Sequence, residues 1–239
     1  MFVTGTGTEV GKTVVAAVIA RALARAGKRV AVFKPAITGL APDEGADGPI
    51  RQGHLDASAR RRGEEADHAL LRRAAGSAQS DEQIAPYRYR QPISPHLAAA
   101  LAGEEIDPGR LRGAARAAAA DADALVCEGV GGLLVPLSPR YLVRDLAADL
   151  GLPLVVAAPP GLGTINHTLL TVEAARAAGL DVAAVVLTPW PGEPGQIERS
   201  NRETIAALGD VAVETLPPLD RADPDGWRVS WRFLRSMSE

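Results

Sequence analysis

The stretch Gly5-Thr6-Gly7-Thr8-Glu9-Val10-Gly11-Lys12-Thr13 constrains this chain more than any other, because its surroundings leave it few ways to fold. It follows the short apolar run Met1-Phe2-Val3 and precedes Val14 to Ala26, a helix-forming composition ended by Gly27. Strand, glycine-rich turn and helix in that order build a loop for phosphate. Turn N–H groups converge on an anion, the helix N-terminus adds the positive end of its dipole, Lys12 neutralises charge and the Thr13 hydroxyl reaches Mg²⁺. The usual spacing, G-x-x-x-x-G-K-[ST], requires glycine at position 6. Here Thr6 stands there and Gly5 comes one residue earlier, so the loop is a variant one residue longer. The bland alternative is a glycine-rich turn with a lysine by coincidence.

Lysine usage sharpens the assignment. Of 26 basic residues only Lys12, Lys28 and Lys34 are lysine. A composition so biased to arginine keeps lysine where a compact, flexible ammonium is needed. Lys12 lies in the loop, and Lys34 follows the second apolar run, Val30-Ala31-Val32-Phe33, at the strand end where an open parallel sheet binds its ligands. Lys28, beside Arg29 in a turn, reads as a solvated charge.

Further apolar runs at Ala124–Cys127, Leu154–Ala158, Val182–Leu187 and Val211–Glu214 alternate with helical stretches at Pro108–Ala120, Leu142–Leu150, Ile165–Ala178 and Gln196–Leu208. Strands apolar throughout are covered on both faces, which predicts an α/β fold with a doubly wound, mainly parallel sheet flanked by helices on both faces. We expect one domain over residues 1–239, with a long loop at about 35–66 beside the site and a less regular tail at about 217–239 whose Trp227, Trp231 and Phe233 pack on the domain. Arg60-Arg61-Arg62 in that loop reads as a solvated face rather than a substrate clamp. Cys127, the single cysteine, reads as a small core residue. The net charge of -3 gives no electrostatic case for nucleic acid. No run approaches the roughly 18 apolar residues of a membrane span, and the opening strand leads us to expect no signal peptide and a cytoplasmic location.

Several carboxylates could complete a metal site. Glu128 ends the third strand and opens Glu128-Gly129-Val130-Gly131-Gly132, at the same sheet edge as Lys12, where it could hold Mg²⁺ opposite the Thr13 hydroxyl. Asp67 begins the helix-like run 66–71 and reads equally as a metal ligand or a first-turn acid, with Asp47 and Asp56 as competitors. None of the four histidines has zinc-ligand spacing. Gly161-Leu162-Gly163-Thr164-Ile165-Asn166-His167 and Ser94-Pro95-His96 each open a helix, as anion sites or plain caps.

Taken in order, the loop at 5–13, Lys34-Pro35 with Thr38-Gly39, Pro86-Tyr87, Ser94-Pro95-His96, Glu128-Gly129-x-Gly131-Gly132 with Pro136-Leu137, and Gly163-x-Ile165-Asn166-His167 make the chain resemble dethiobiotin synthetase from residue 2 to about 188. The resemblance implies a phosphate-loop nucleotide-hydrolase fold and a cytoplasmic homodimer. It also implies the reaction: 7,8-diaminopelargonic acid, CO₂ and ATP yield the ureido ring of dethiobiotin through a carbamate and a carbamic-phosphoric anhydride, in biotin synthesis. Residue by residue it implies catalysis by Lys12 and Lys34, and Mg²⁺ on Thr13, Asp67 and Glu128. Nucleotide contacts would come from Gly7, Thr8, Glu9, Val10, Gly11, Lys12, Thr13, Val14, Asp67, Glu128, Gly129, Val130 and Gly131, and around the base from Thr188, Pro189, Leu216, Pro217 and Pro218. Thr8, Lys34 and Thr38 would face the diamine and carbamate, while Thr164, Ile165 and Asn166 of the partner subunit would bind the distal carboxylate.

Two departures stand out. Many members of that family carry Asn-Asp after the fifth strand to recognise adenine, whereas this chain has Thr188-Pro189, with one hydroxyl and one missing backbone donor. This predicts relaxed base selectivity, with other nucleoside triphosphates replacing ATP. The loop at 35–66 is also longer than usual, which bears on Asp67. The rival reading is a partitioning-type regulatory ATPase of the same fold, whose loop carries a second lysine that residues 5–8 lack. An amidation domain of cobalamin synthesis, normally fused to a glutaminase domain, is a further rival that this length does not suit.

Overall fold

The computed structural model describes residues 1–40, 66–228, Trp231 and Leu234. Asp47, Asp56, Arg60-Arg61-Arg62 and Phe233 lie outside the described residues. Each apolar run becomes a strand: β1 (Phe2–Gly5), β2 (Val30–Phe33), β3 (Ala124–Glu128), β6 (Leu154–Ala158), β7 (Val182–Leu187) and β8 (Val213–Thr215), all parallel in the order β2-β3-β1-β6-β7-β8. The small hairpin of β4 (Pro136–Ser138) and β5 (Tyr141–Leu142) stands apart. The helices are α1 (Lys12–Arg25), α2 (Asp67–Ala75), α3 (Asp81–Ile84), α4 (Pro95–Ala102), α5 (Pro108–Ala119), α6 (Val143–Leu150), α7 (Thr164–Ala177) and α8 (Gln196–Gly209).

The strands are apolar throughout because both faces are buried. Successive residues point to opposite sides. Phe2, Phe33, Cys127, Leu154, Val156 and Val185 pack with Leu111 of α5, Leu146 of α6, Val172 of α7 and Ile205 of α8. Val3, Val32, Val126, Val155 and Val186 pack with Val15 and Ile19 of α1 and Leu70 and Leu71 of α2. Cys127 is a core residue, and Trp227 and Trp231 bury themselves against the α1–α2 side.

The expected strand at 211–214 is instead 213–215, because pairing of Val213 with Val185 of β7 sets its start. Residues 35–40, expected to begin the long loop, are tied down: Ile37 N–H donates to Tyr87 O at 2.9 Å and Leu40 N–H to Tyr89 O at 3.1 Å, and both side chains are buried. The β4–β5 hairpin was not anticipated, since strands of three and two residues carry no readable period.

The chain leaves β1 for β2 on one side and later continues from β6 to β8 on the other. Strand order therefore reverses around β1, and the crevice above its C-terminal end is where such sheets bind ligands. Leu146 is fully buried under this sheet, so Leu146→Ala should lower stability by about 3 kcal/mol. Denaturant midpoints at unchanged slope would record it.

Candidate active site

The phosphate loop links β1 to α1. Gly11 caps the helix at φ 88°, a left-handed conformation that side chains avoid, and an added Cβ there would sit 2.6 Å from Thr188 Cγ2. Glu9 also lies in the left-handed region, at φ 59°, so the loop holds an uncommon backbone path at a residue with a side chain. Lys12 folds back along the loop and donates from Nζ to Gly7 O at 2.7 Å. Thr8 and Glu9 are exposed, whereas Lys12 is buried. Burial draws the Lys12 ammonium down to about 8, against the pull of Glu128.

Sheet register brings the other groups to this loop. Phe33 pairs with Cys127, so the next residues, Lys34 and Glu128, stand level at the strand ends. Lys34 Nζ donates to Glu128 Oε1 at 2.7 Å and to Asp67 Oδ2 at 2.8 Å. The Thr13 hydroxyl donates to the same Glu128 Oε1 at 2.8 Å. Lys34 is 5% exposed and Glu128 1%. Burial opposes the Lys34 charge, but Asp67 and Glu128 outweigh it and raise its pKa, so it remains an ammonium. Burial also raises Glu128, with Asp67 adding to the rise and Lys34 and Lys12 opposing it. Glu128 Oε2 is buried with no hydrogen-bond partner, a position that calls for a further cation or donor. The glycine-rich turn after Glu128 lies on the loop: a Cβ on Gly132 would be 3.5 Å from Gly5 O.

Of the three candidate aspartates, Asp67 is the one described, at the start of α2 with Lys34 on one oxygen. Gly129, Val130 and Gly131 follow Glu128 in the turn beside the loop. Thr188 is buried against Gly11, with its N–H donated to Ala158 O at 2.9 Å, and exposed Pro189 follows. Leu216 is wholly buried, and its carbonyl accepts the Trp190 N–H at 2.7 Å; Pro217 and Pro218, after it, are exposed. Val14 is half-buried on α1 and Thr38 half-buried between Ile37 and Leu40. The Thr164 side chain turns inward, 3.3 Å from the Thr168 hydroxyl, and its N–H goes to Gly161 O at 3.2 Å. Helix geometry leaves the backbone donors of Ile165 and Asn166 without an intrahelical partner at this N-terminus. Sequence reasoning missed Arg221, whose Nη2 lies 3.6 Å from Asp67 Oδ1. One arginine in a basic set dominated by arginine carries no signal.

The fold and loop together define a phosphate-loop nucleotide-binding protein, and a family model described as an AAA domain matches residues 1–223. The ATP-dependent dethiobiotin synthetase BioD of Anaeromyxobacter sp. (strain K) is 42% identical over 217 residues, covering 87% of this chain and 88% of the relative. That of Anaeromyxobacter dehalogenans (strain 2CP-1 / ATCC BAA-258) is 46% identical over 208 residues, 87% of this chain and 84% of its own. The Bacillus velezensis (strain DSM 23117 / BGSC 10A6 / LMG 26770 / FZB42) protein of the same name is 33% identical over 217 residues, 91% of this chain and 85% of its own. The chain belongs to the ATP-dependent dethiobiotin synthetase family. A ParA family ATPase from Chlorobium tepidum TLS shares the fold alone, with a TM-score of 0.50 at 14% identity over 98% of this chain and 88% of that one.

The contact between Gly11 and Thr188 gives a direct test of the loop. Gly11→Ala should weaken ATP binding at least tenfold in calorimetry while leaving the far-ultraviolet spectrum unchanged, since the strain falls on the loop rather than on the sheet.

Proposed function

We propose that the chain is an ATP-dependent dethiobiotin synthetase that closes the ureido ring of dethiobiotin from 7,8-diaminopelargonic acid and CO₂ in biotin synthesis. The observation that carries this reading is the cluster of buried Lys34 and Glu128 with half-buried Asp67, beside Lys12 and Thr13, in a chain of that family. A substrate amine adds to CO₂, giving a carbamate and releasing a proton. The carbamate oxygen attacks the γ-phosphorus of ATP and expels ADP. The second amine attacks the carbonyl of the resulting anhydride, forming the ring and releasing phosphate.

Charge spreads over the phosphoryl oxygens during transfer, so positioned cations are the main demand on the protein. Lys12 exchanges its bond to Gly7 O for phosphate oxygen, and Lys34 faces the carbamate and the transferring group. Mg²⁺ would sit on the Thr13 hydroxyl, Asp67 and Glu128, and would supply charge neutralisation at the phosphates. Hard oxygen donors and the unpartnered Glu128 Oε2 support that fit. Among the described residues no group of three or more His, Cys, Asp and Glu is placed to hold a metal ion by itself.

In the same reading Thr8 and Thr38 line the diamine site. The α7 N-terminus of a second copy, at Ile165 and Asn166, takes the distal carboxylate across a homodimer interface. Thr188-Pro189 and 216–218 border the base. Among the described residues no helix is long and apolar enough to cross a membrane, and a cytoplasmic setting suits the reaction.

With Mg-ATP and bicarbonate, phosphate release should require the diamine, stop when the metal is chelated, and fall at least a hundredfold in Lys34→Ala. Release indifferent to the diamine would point to a regulatory ATPase instead. Thr188 and Pro189 also lead us to expect turnover with CTP and GTP within about tenfold of that with ATP, since a single hydroxyl discriminates bases poorly. Inert CTP and GTP would overturn that expectation.

A further inference from the structure

After β8 the chain runs back over the two helices whose N-termini serve the site. Arg73 of α2 donates to the carbonyls of Ala222 at 2.8 Å and Arg221 at 2.5 Å. Arg21 and Arg25 of α1 hold Asp225 and the Trp227 carbonyl, and the Trp227 indole N–H donates to Asp220 O at 2.7 Å. Trp227 and Trp231 are buried among residues of α1 and α2. The segment is thus a strap, fixed at several points to α1, which carries Lys12 and Thr13, and to α2, which carries Asp67.

Among its described residues, Arg221 is the side chain whose charge meets the site. Its Nη2 faces Asp67 Oδ1 at 3.6 Å, while Asp67 Oδ2 accepts from Lys34 at 2.8 Å. The two carboxylates of the site differ in this respect. Glu128 is enclosed at 1% exposure and held by Thr13 and Lys34, whereas the Asp67 side chain is 27% exposed on the first residue of a helix. A cation at each oxygen of such a carboxylate restrains its rotation about the Cβ–Cγ bond. A guanidinium suits this, being planar and permanently charged.

We propose that Arg221 is a positioning residue for the reaction: it holds the outer oxygen of Asp67 so that the inner oxygen stays on Lys34. This rests on the reading of Lys34 and Asp67 as parts of the reaction centre. Arg221 acts through Asp67 and needs no contact with substrate.

The test is a double-mutant cycle in the intact protein with Arg221→Ala, Asp67→Asn and both. A partly exposed ion pair is worth up to about fivefold. Arg221→Ala should therefore lower kcat roughly three- to fivefold, with the diamine KM and the melting temperature little changed, and Arg221→Lys should recover part of the loss. In the Asp67→Asn background Arg221→Ala should have no further effect, and calorimetric affinity for Mg-ATP should show the same non-additivity. Equal losses in both backgrounds, or a lower melting temperature with kcat unchanged, would make the arginine a strap anchor only and overturn the proposal. Full diamine-dependent turnover in Lys34→Ala would remove the reading of the site, and the proposal with it.

Discussion

The buried ion cluster at the C-terminal edge of the sheet is the constraint on which the rest of the structure depends. Lys34 and Glu128 are almost wholly out of water, and charges in that setting persist only when each is matched by partners at hydrogen-bond distance. Removing one partner from such a pair costs about 3–5 kcal/mol, because the other is left buried and uncompensated. Strand register, the Thr13 hydroxyl at the start of α1 and the first residue of α2 all converge on satisfying these two groups. In the proposed reaction a cluster held this rigidly is also pre-organised, so that little reorganisation remains to be done when phosphate charge develops.

The phosphate loop is shaped by contact as much as by its own sequence. Gly11 is pressed against Thr188, which follows β7, so the end of that strand is linked to the cap of α1. The glycine-rich turn after Glu128 approaches from the other side, where Gly132 faces the Gly5 carbonyl. At Gly11 the absence of a side chain lets backbone and Thr188 meet at a distance that a methyl group would prevent. The loop therefore inherits its form from strands β3 and β7 as well as from the nine residues that announce it.

The C-terminal strap extends the same logic outward. Its described residues form no strand, yet arginines of α1 and α2 grip its carbonyls and its indoles complete the core on that side. It returns one guanidinium to Asp67, the more exposed of the two site carboxylates. Local anchoring of the strap and orientation of the site are thereby mechanically joined.

Much of this was legible in the sequence. The nine-residue loop, Lys34 as one of three lysines, Glu128 before a glycine-rich turn and the uniformly apolar strands all follow local rules of spacing and burial, and together they define a doubly wound parallel sheet with a phosphate site. Tertiary structure decided what those rules do not reach. The order β2-β3-β1 sets Lys34 level with Glu128 across 94 residues, and the Thr13 to Glu128 bond spans 115. The ion pair of Asp67 with Lys34, the anchoring of residues 35–40 and the approach of Arg221 depend likewise on partners distant in the chain. Composition and periodicity report which face of an element is buried, whereas the identity of the group it meets is fixed only when the whole sheet closes its core.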